Sequence, residues 1–268
     1  MSSALRRSRK ARHGTDLVCE WIFRPLAHPV VLALLPLRIP PPLVVCASGA
    51  AGIGGAVELA RGHLVVAALL VQLKTVLDNA DGQLARLSGR VTEFGRYLDS
   101  EVDLLVDAAL LAALGWETGH GVAAFLTFLA LTAVLSVNFN AERLYRLERD
   151  PAAGSAALAR TGRATAFVRR VYALVYAPQD RLVERFVAWR LRDVLPEARL
   201  AYHDRATVFA LANLGMSTQL AAFGVCLALG HPLAFIWLVA AELVFVTVLA
   251  LRRELLLRSF GALQEEAL

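Results

Sequence analysis

The 268-residue chain has only three cysteines, Cys19, Cys46 and Cys226. They stand far apart, in or beside apolar runs and without CxxC spacing, which argues against a disulfide framework, a thiolate metal site and a cysteine nucleophile, so they read as packing residues. The six histidines are scattered singly, with His120 and His231 in turns, and no HExxH pair supports zinc catalysis. Gly49, Gly52, Gly54 and Gly55 are followed by no P-loop lysine, so they read as sites of close helix approach. There is no internal repeat, and the alanine-rich "PAAGSAALAR" reads as a flexible link. No short apolar core with a small-residue cleavage site follows the polar start, so no cleavable leader is expected. Arginines beside aromatic stripes on a polar domain are also missing, which removes the usual footprint of a nucleic-acid partner.

What the chain has in abundance is apolar surface. Hydrophobic residues make up 57% of the sequence, and the mean hydropathy of +0.54 exceeds what soluble domains usually show. Apolar windows near the length of a bilayer crossing fall at 41–59, 63–80, 98–115, 121–139, 206–229 and 233–251, which predicts an all-α polytopic membrane protein with six spans. Three short links, at 61–63, 116–121 and 230–232, hold one arginine, Arg61, out of 28 Lys and Arg residues. The other basic residues cluster at the start, between spans two and three, from Arg143 to Arg205 and near the end. The positive-inside rule then puts both termini and the Arg-rich links in the cytoplasm, on the inner face of the cell membrane. The basic clusters beside apolar segments suit anionic lipid headgroups.

The expected organisation is a basic tail and interfacial amphipathic helix over 1–40, because Pro25, Pro29 and Pro36 spoil a further span. A six-helix domain follows over 41–252, carrying a cytoplasmic helical insertion at about 142–205, and a tail covers 253–268. Within the insertion, apolar residues such as Leu182, Val183, Phe186, Val187 and Leu191 recur at helical spacing, predicting amphipathic helices broken at Pro178.

Set into this apolar chain is the stretch "LDNADGQLARLSGRVTEFGRYLDSEVD", Leu77 to Asp103. Asp78 and Asp81 are three apart at the inner end of span two, and Asp99 and Asp103 four apart at the inner start of span three, so on helices each pair shares a face. Four converging carboxylates cannot all stay ionised without compensation. Hard divalent cations, Mg²⁺ above all, favour a few carboxylates together with phosphate oxygens. Gly82, Ala85, Gly89 and Gly95 leave room for a nucleotide or a neighbouring backbone, and Arg86 offers a fork of donors suited to phosphate. Lys74, one turn before Asp78, is an intramembrane cation that reads either as a functional residue or as an ion-pair partner of Asp78. Asp107 continues the series one turn deeper and is left outside the site. Asn213, Ser217, Thr218 and Gln219 in span five read as helix-packing polar residues, with an acceptor or lipid pocket as the alternative.

These residues fit the pattern D-x-x-D-G-x-x-A-R-x8-G-x3-D-x3-D at all eight specified positions: Asp78, Asp81, Gly82, Ala85, Arg86, Gly95, Asp99 and Asp103. The chain thereby resembles the CDP-alcohol phosphatidyltransferases of integral membrane type, a family that also has six spans. The resemblance implies transfer of a phosphoalcohol from a CDP-alcohol lipid donor, such as CDP-diacylglycerol, to the hydroxyl of a small acceptor, with release of CMP. It implies two Mg²⁺ or Mn²⁺ per active site, one held by Asp78, Asp81 and Asp99, the second with help from Asp103, which would also be the general base. It assigns Gly82 and Arg86, with Thr92, to the CDP part, and it implies a homodimer. Two segments depart from the family's patterns. "IPPPLV" at 39–44 replaces a T-P-N-x-L-T-like segment, and "SVNFNAER" at 136–143 puts Asn140 where relatives with phosphorylated acceptors carry an arginine. Arg143, with basic residues of 160–170, could supply a phosphate clamp from a shifted position or contact anionic lipid.

Two other functions use similar parts. A membrane prenyltransferase would need a second Asp-rich motif several spans later, and spans four to six contain none. A transporter would bring its charges toward the bilayer midplane, whereas these aspartates lie at one rim.

Overall fold

The computed structural model describes residues 14–150, 178–192 and 194–265, and all regular structure among them is helical. The expected basic tail at 1–13, the first part of the insertion at 151–177, with its basic 160–170 stretch, and the last three residues lie outside the described residues.

A π-helical turn at Cys19–Phe23 leads into α1 (Arg24–Leu34). Pro25 and Pro29 do not break this segment, since both are carried within a helical run that continues from the π-helical turn to Leu34, whereas Pro36 falls in the turn that follows. One side of α1 buries Ala27 and Val31, while Trp21, Ile22, Leu26 and Leu32 stay exposed on the segment. Four long helices follow, α2 (Pro41–Ala60), α3 (Leu64–Leu87), α4 (Glu93–Thr118) and α5 (Gly121–Arg149). Then come α6 (residues 178–190), α7 (Pro196–Tyr202), α8 (Arg205–Ala212), α9 (Met216–Ala228) and α10 (Ala234–Glu265).

Among the described residues, four stretches are long and apolar enough to cross a membrane: Pro41–Ala60, Gly121–Arg149, Glu197–Ala228 and Ala234–Ser259. The other two expected spans are formed as helices, α3 and α4, but carry too much charge to qualify by composition. The charges in question are the acidic stretch itself with Lys74 and Asp107. The fifth expected span is not one continuous helix, because the chain breaks between α8 and α9 at Asn213–Gly215.

Helix α2 is the platform of the bundle, since both α3 and α4 pack on it. Glycines make this possible. A methyl group at Gly49 would come within 2.7 Å of Val102 Cγ1, and one at Gly52 within 2.5 Å of Val106 Cγ1. With side chains at those positions α4 could not lie so close. Around this platform Leu59, Ala67, Val71, Val106, Leu110 and Leu114 form the main apolar core with Phe223 and Leu227 of α9.

Candidate metal and nucleotide site

Helices α3 and α4 are joined by a short turn in which Gly89 has φ +68°, the left-handed region that suits glycine. Thr92 then starts α4 by accepting a hydrogen bond from Gly95 N at 3.0 Å. Expected as a phosphate contact, Thr92 thus has its oxygen engaged as an N-cap. After the reversal both helices pack on α2, and the carboxylates of the last turns of α3 and the first turns of α4 reach toward each other across the gap between them. Both helices overrun the apolar windows, to Leu87 and from Glu93, so the aspartates sit within helices rather than at frayed ends.

Asp78, Asp99 and Asp103 meet there: each offers one carboxylate oxygen, and the three oxygens lie within 4.8 Å of one another. Asp81, one turn after Asp78, is buried but stands outside this trio. The expected first ligand set is therefore only partly drawn together. Lys74 is 1% exposed; its ammonium donates to Asp78 Oδ1 at 3.0 Å and to Asp103 Oδ1, so it is an ion-pair partner of both helices. One ammonium is set against four carboxylates. Three hard oxygen donors with surplus negative charge fit Mg²⁺ or Mn²⁺ better than a soft or imidazole-preferring metal.

Next to the trio, the guanidinium of Arg86 folds back over Gly82, where a methyl group would lie 3.2 Å from Nη1. Gly82, Ala85 and Arg86 are all half-buried and continue one helical side from Asp78. Arg143 lies on α5, ion-paired with Glu184 of α6, so a phosphate could reach it only by displacing or sharing that carboxylate. Asp107 is buried at 3% exposure one turn below Asp103.

Several residues that hold this rim in place had no assigned role in the sequence reading. Gln83, fully buried, donates from Nε2 to Arg24 O at 3.1 Å and lies 3.4 Å from His28 Nδ1, docking α1 on α3. Asn79 donates to Ser217 Oγ of α9 at 3.2 Å and accepts from Cys19 Sγ at 3.1 Å. Asp16 accepts from Cys19 N at 2.9 Å and from Thr218 Oγ1 at 3.1 Å. Asp16, Cys19, Asn79 and the Ser217–Thr218 pair thus close a ring across the N-terminal segment, α3 and α9. Ser217 and Thr218 are packing residues in this sense. On α5, Asn140 Nδ2 and Ser136 Oγ donate to Asp180 Oδ1 at 2.8 and 2.9 Å. A carboxylate therefore stands against the asparagine that departs from the family's arginine.

A family profile described as "CDP-alcohol phosphatidyltransferase" matches residues 28–191. Among curated proteins, a phosphatidylinositol phosphate synthase of Corynebacterium glutamicum is 33% identical over 119 residues, 41% of this chain and 54% of that protein. A bifunctional IPC transferase and DIPP synthase of Thermococcus kodakarensis is 38% identical over 81 residues, 30% of this chain and 19% of that protein. An archaetidylinositol phosphate synthase of Pyrococcus horikoshii is 37% identical over 76 residues, 28% of this chain and 39% of that protein. The chain thus spans about half or less of the length of these relatives. With the acidic helices α3 and α4 and more than half of its residues inside the matched region, this chain belongs to the CDP-alcohol phosphatidyltransferase family.

Proposed function

We propose that this protein makes a phospholipid: it transfers the phosphatidyl group of a CDP-diacylglycerol-type donor to the hydroxyl of a small alcohol and releases CMP. The observation that carries this reading is the meeting of Asp78, Asp99 and Asp103 from two helices, with Arg86 over Gly82 beside them. Gly82, Ala85 and Gly95 leave the approach open for the nucleotide, Arg86 contacts its phosphates, and the Thr92 hydroxyl, whose oxygen caps α4, keeps its proton to donate to them. Asp78, Asp81, Asp99 and Asp103 hold two Mg²⁺ or Mn²⁺ ions. Bound there, these would neutralise the donor pyrophosphate and stabilise charge on departing CMP.

The acceptor oxygen attacks the lipid-side phosphorus while its proton passes to Asp103. The bond from that phosphorus to the bridging oxygen breaks, and its electron pair leaves on CMP. No covalent enzyme intermediate is needed. Lys74 keeps the Asp103 carboxylate aimed across the gap between α3 and α4. In this reading α3 and α4 are the second and third of six spans, the site opens to the cytoplasm, α1 lies in the bilayer interface, and the unit is a homodimer as the family resemblance implies.

The acceptor class follows from a release assay. Purified protein in lipid, supplied with Mg²⁺ and CDP-diacylglycerol, is expected to liberate CMP when given the right member of a panel of inositol phosphate, inositol, glycerol 3-phosphate and serine. Inositol phosphate is the acceptor suggested by the names of the relatives, whereas the Asp180 carboxylate against Asn140 supports an uncharged polyol. No metal-dependent CMP release with any acceptor, from protein shown to be folded, would remove the proposed activity.

A further inference from the structure

Helix α6 is held in one orientation. Along one edge, Asp180 accepts from Ser136 and Asn140, and Glu184 pairs with Arg143 one turn on. Val187 and Leu191 then pack with Tyr202 and Leu257, against Leu144. At the far end Arg190 donates to Glu254 of α10 at 2.6 Å. Both acids of the helix are consumed by these contacts, so its outward side carries no carboxylate.

What remains outward is apolar and aromatic. Leu182, Phe186 and Trp189 are 71%, 55% and 70% exposed, and their i, i+4, i+7 spacing puts them in one stripe. Arg181 and Arg185, both exposed, run along one edge of the stripe, and Arg190 lies on the other. An apolar stripe with a tryptophan, edged by exposed arginines whose stems can lie along it, is the composition of a helix in a bilayer interface.

The depth agrees. The anchors Ser136 and Asn140 bracket the exposed Phe139 at the inner end of the apolar part of α5, and Glu254 lies between the exposed Leu251 and Leu255 of α10. α6 is therefore fastened where both helices pass from apolar to charged surroundings.

We infer that α6 is a membrane-interface helix that inserts Leu182, Phe186 and Trp189 among the headgroups and upper acyl chains of an anionic bilayer, with Arg181 and Arg185 against the lipid phosphates. This rests on the reading of α5 and α10 as membrane spans. It gives α6 a fixed depth, at the level where a lipid donor presents its headgroup.

The test uses the full chain with Trp189 as its sole tryptophan, the other three changed to phenylalanine, reconstituted in vesicles of phosphatidylcholine and phosphatidylglycerol. Trp189 fluorescence is expected to be quenched by lipids brominated high on the acyl chain more than by lipids brominated near its end, and to lose most of its quenching by aqueous acrylamide. In the same background, Arg181→Gln with Arg185→Gln should reduce lipid quenching, with a larger loss in anionic than in neutral vesicles. A second chain retaining only Trp237, which is exposed on α10, is the control for insertion. If Trp237 is quenched by lipid while Trp189 answers only to acrylamide, the interface helix is wrong and the spans stand. If neither is quenched by lipid, the membrane reading itself fails. Shielding of Trp189 from both quenchers, as a second protein copy would produce, also overturns the inference.

Discussion

Asp103→Asn is expected to lower the rate of CMP release by about 10²–10⁴-fold, the usual worth of a positioned general base, with more lost if metal occupancy also falls. The carboxylate lies on α4, faces Asp78 and Asp99, and is held by Lys74 from α3. The asparagine keeps the volume and an acceptor oxygen for the Lys74 ammonium but cannot take the acceptor's proton. Folding, followed by size-exclusion and thermal unfolding, should be little changed, and CDP should still bind. Turnover by Asp103→Asn close to that of the unaltered protein would remove the proposed base.

Lys74→Met should have the largest effect on stability. The ammonium is 1% exposed and is the one cation in contact with both Asp78 and Asp103. Breaking a buried pair by deleting one partner leaves the other charge uncompensated and typically costs about 3–5 kcal/mol. The loss should be seen as a lower unfolding midpoint in chelator. A divalent cation bound by the same carboxylates returns part of it, about 2.7 kcal/mol when the ion is at a hundred times its dissociation constant. The midpoint gain on adding Mg²⁺ should therefore be greater for Lys74→Met than for the unaltered chain. Equal gains would mean that the cation does not act on the carboxylates that Lys74 neutralises.

The acidic site was legible because its information is local. Asp78, Asp81, Asp99 and Asp103 fall within one stretch of two helices and a turn, and helical spacing alone assigns each pair to a face. Hydropathy marked six apolar windows for the same reason, but it ended the second too early and began the third too late. In α3 and α4 the polar residues of the rim continue the helix without continuing the apolar run. The break at Asn213–Gly215 was hidden by apolar residues on both sides, although an asparagine and a glycine two apart were its signal.

The supports of the site were not legible, because their partners lie far away in the chain. Gln83 looks like a filler inside the motif until Arg24 and His28 are brought to it. Asp180 lies in a segment whose apolar periodicity predicted amphipathic helices without showing which polar residues would turn inward to Ser136 and Asn140. Asp16 joins Thr218, 202 residues away. Arg143 was read as either a phosphate clamp or a contact to anionic lipid, and nothing in the local spacing announced Glu184 as its partner.

The central claim is that the carboxylates of α3 and α4 hold a pair of divalent ions that in turn bind the cytidine diphosphate. It is tested most directly by titrating Mn²⁺ into the metal-free protein with CDP present and reading free Mn²⁺ by electron paramagnetic resonance. The account predicts two bound Mn²⁺ per chain, with Asp78→Asn and Asp99→Asn each reducing that occupancy and weakening CDP binding. Occupancy or CDP affinity indifferent to both substitutions would contradict it.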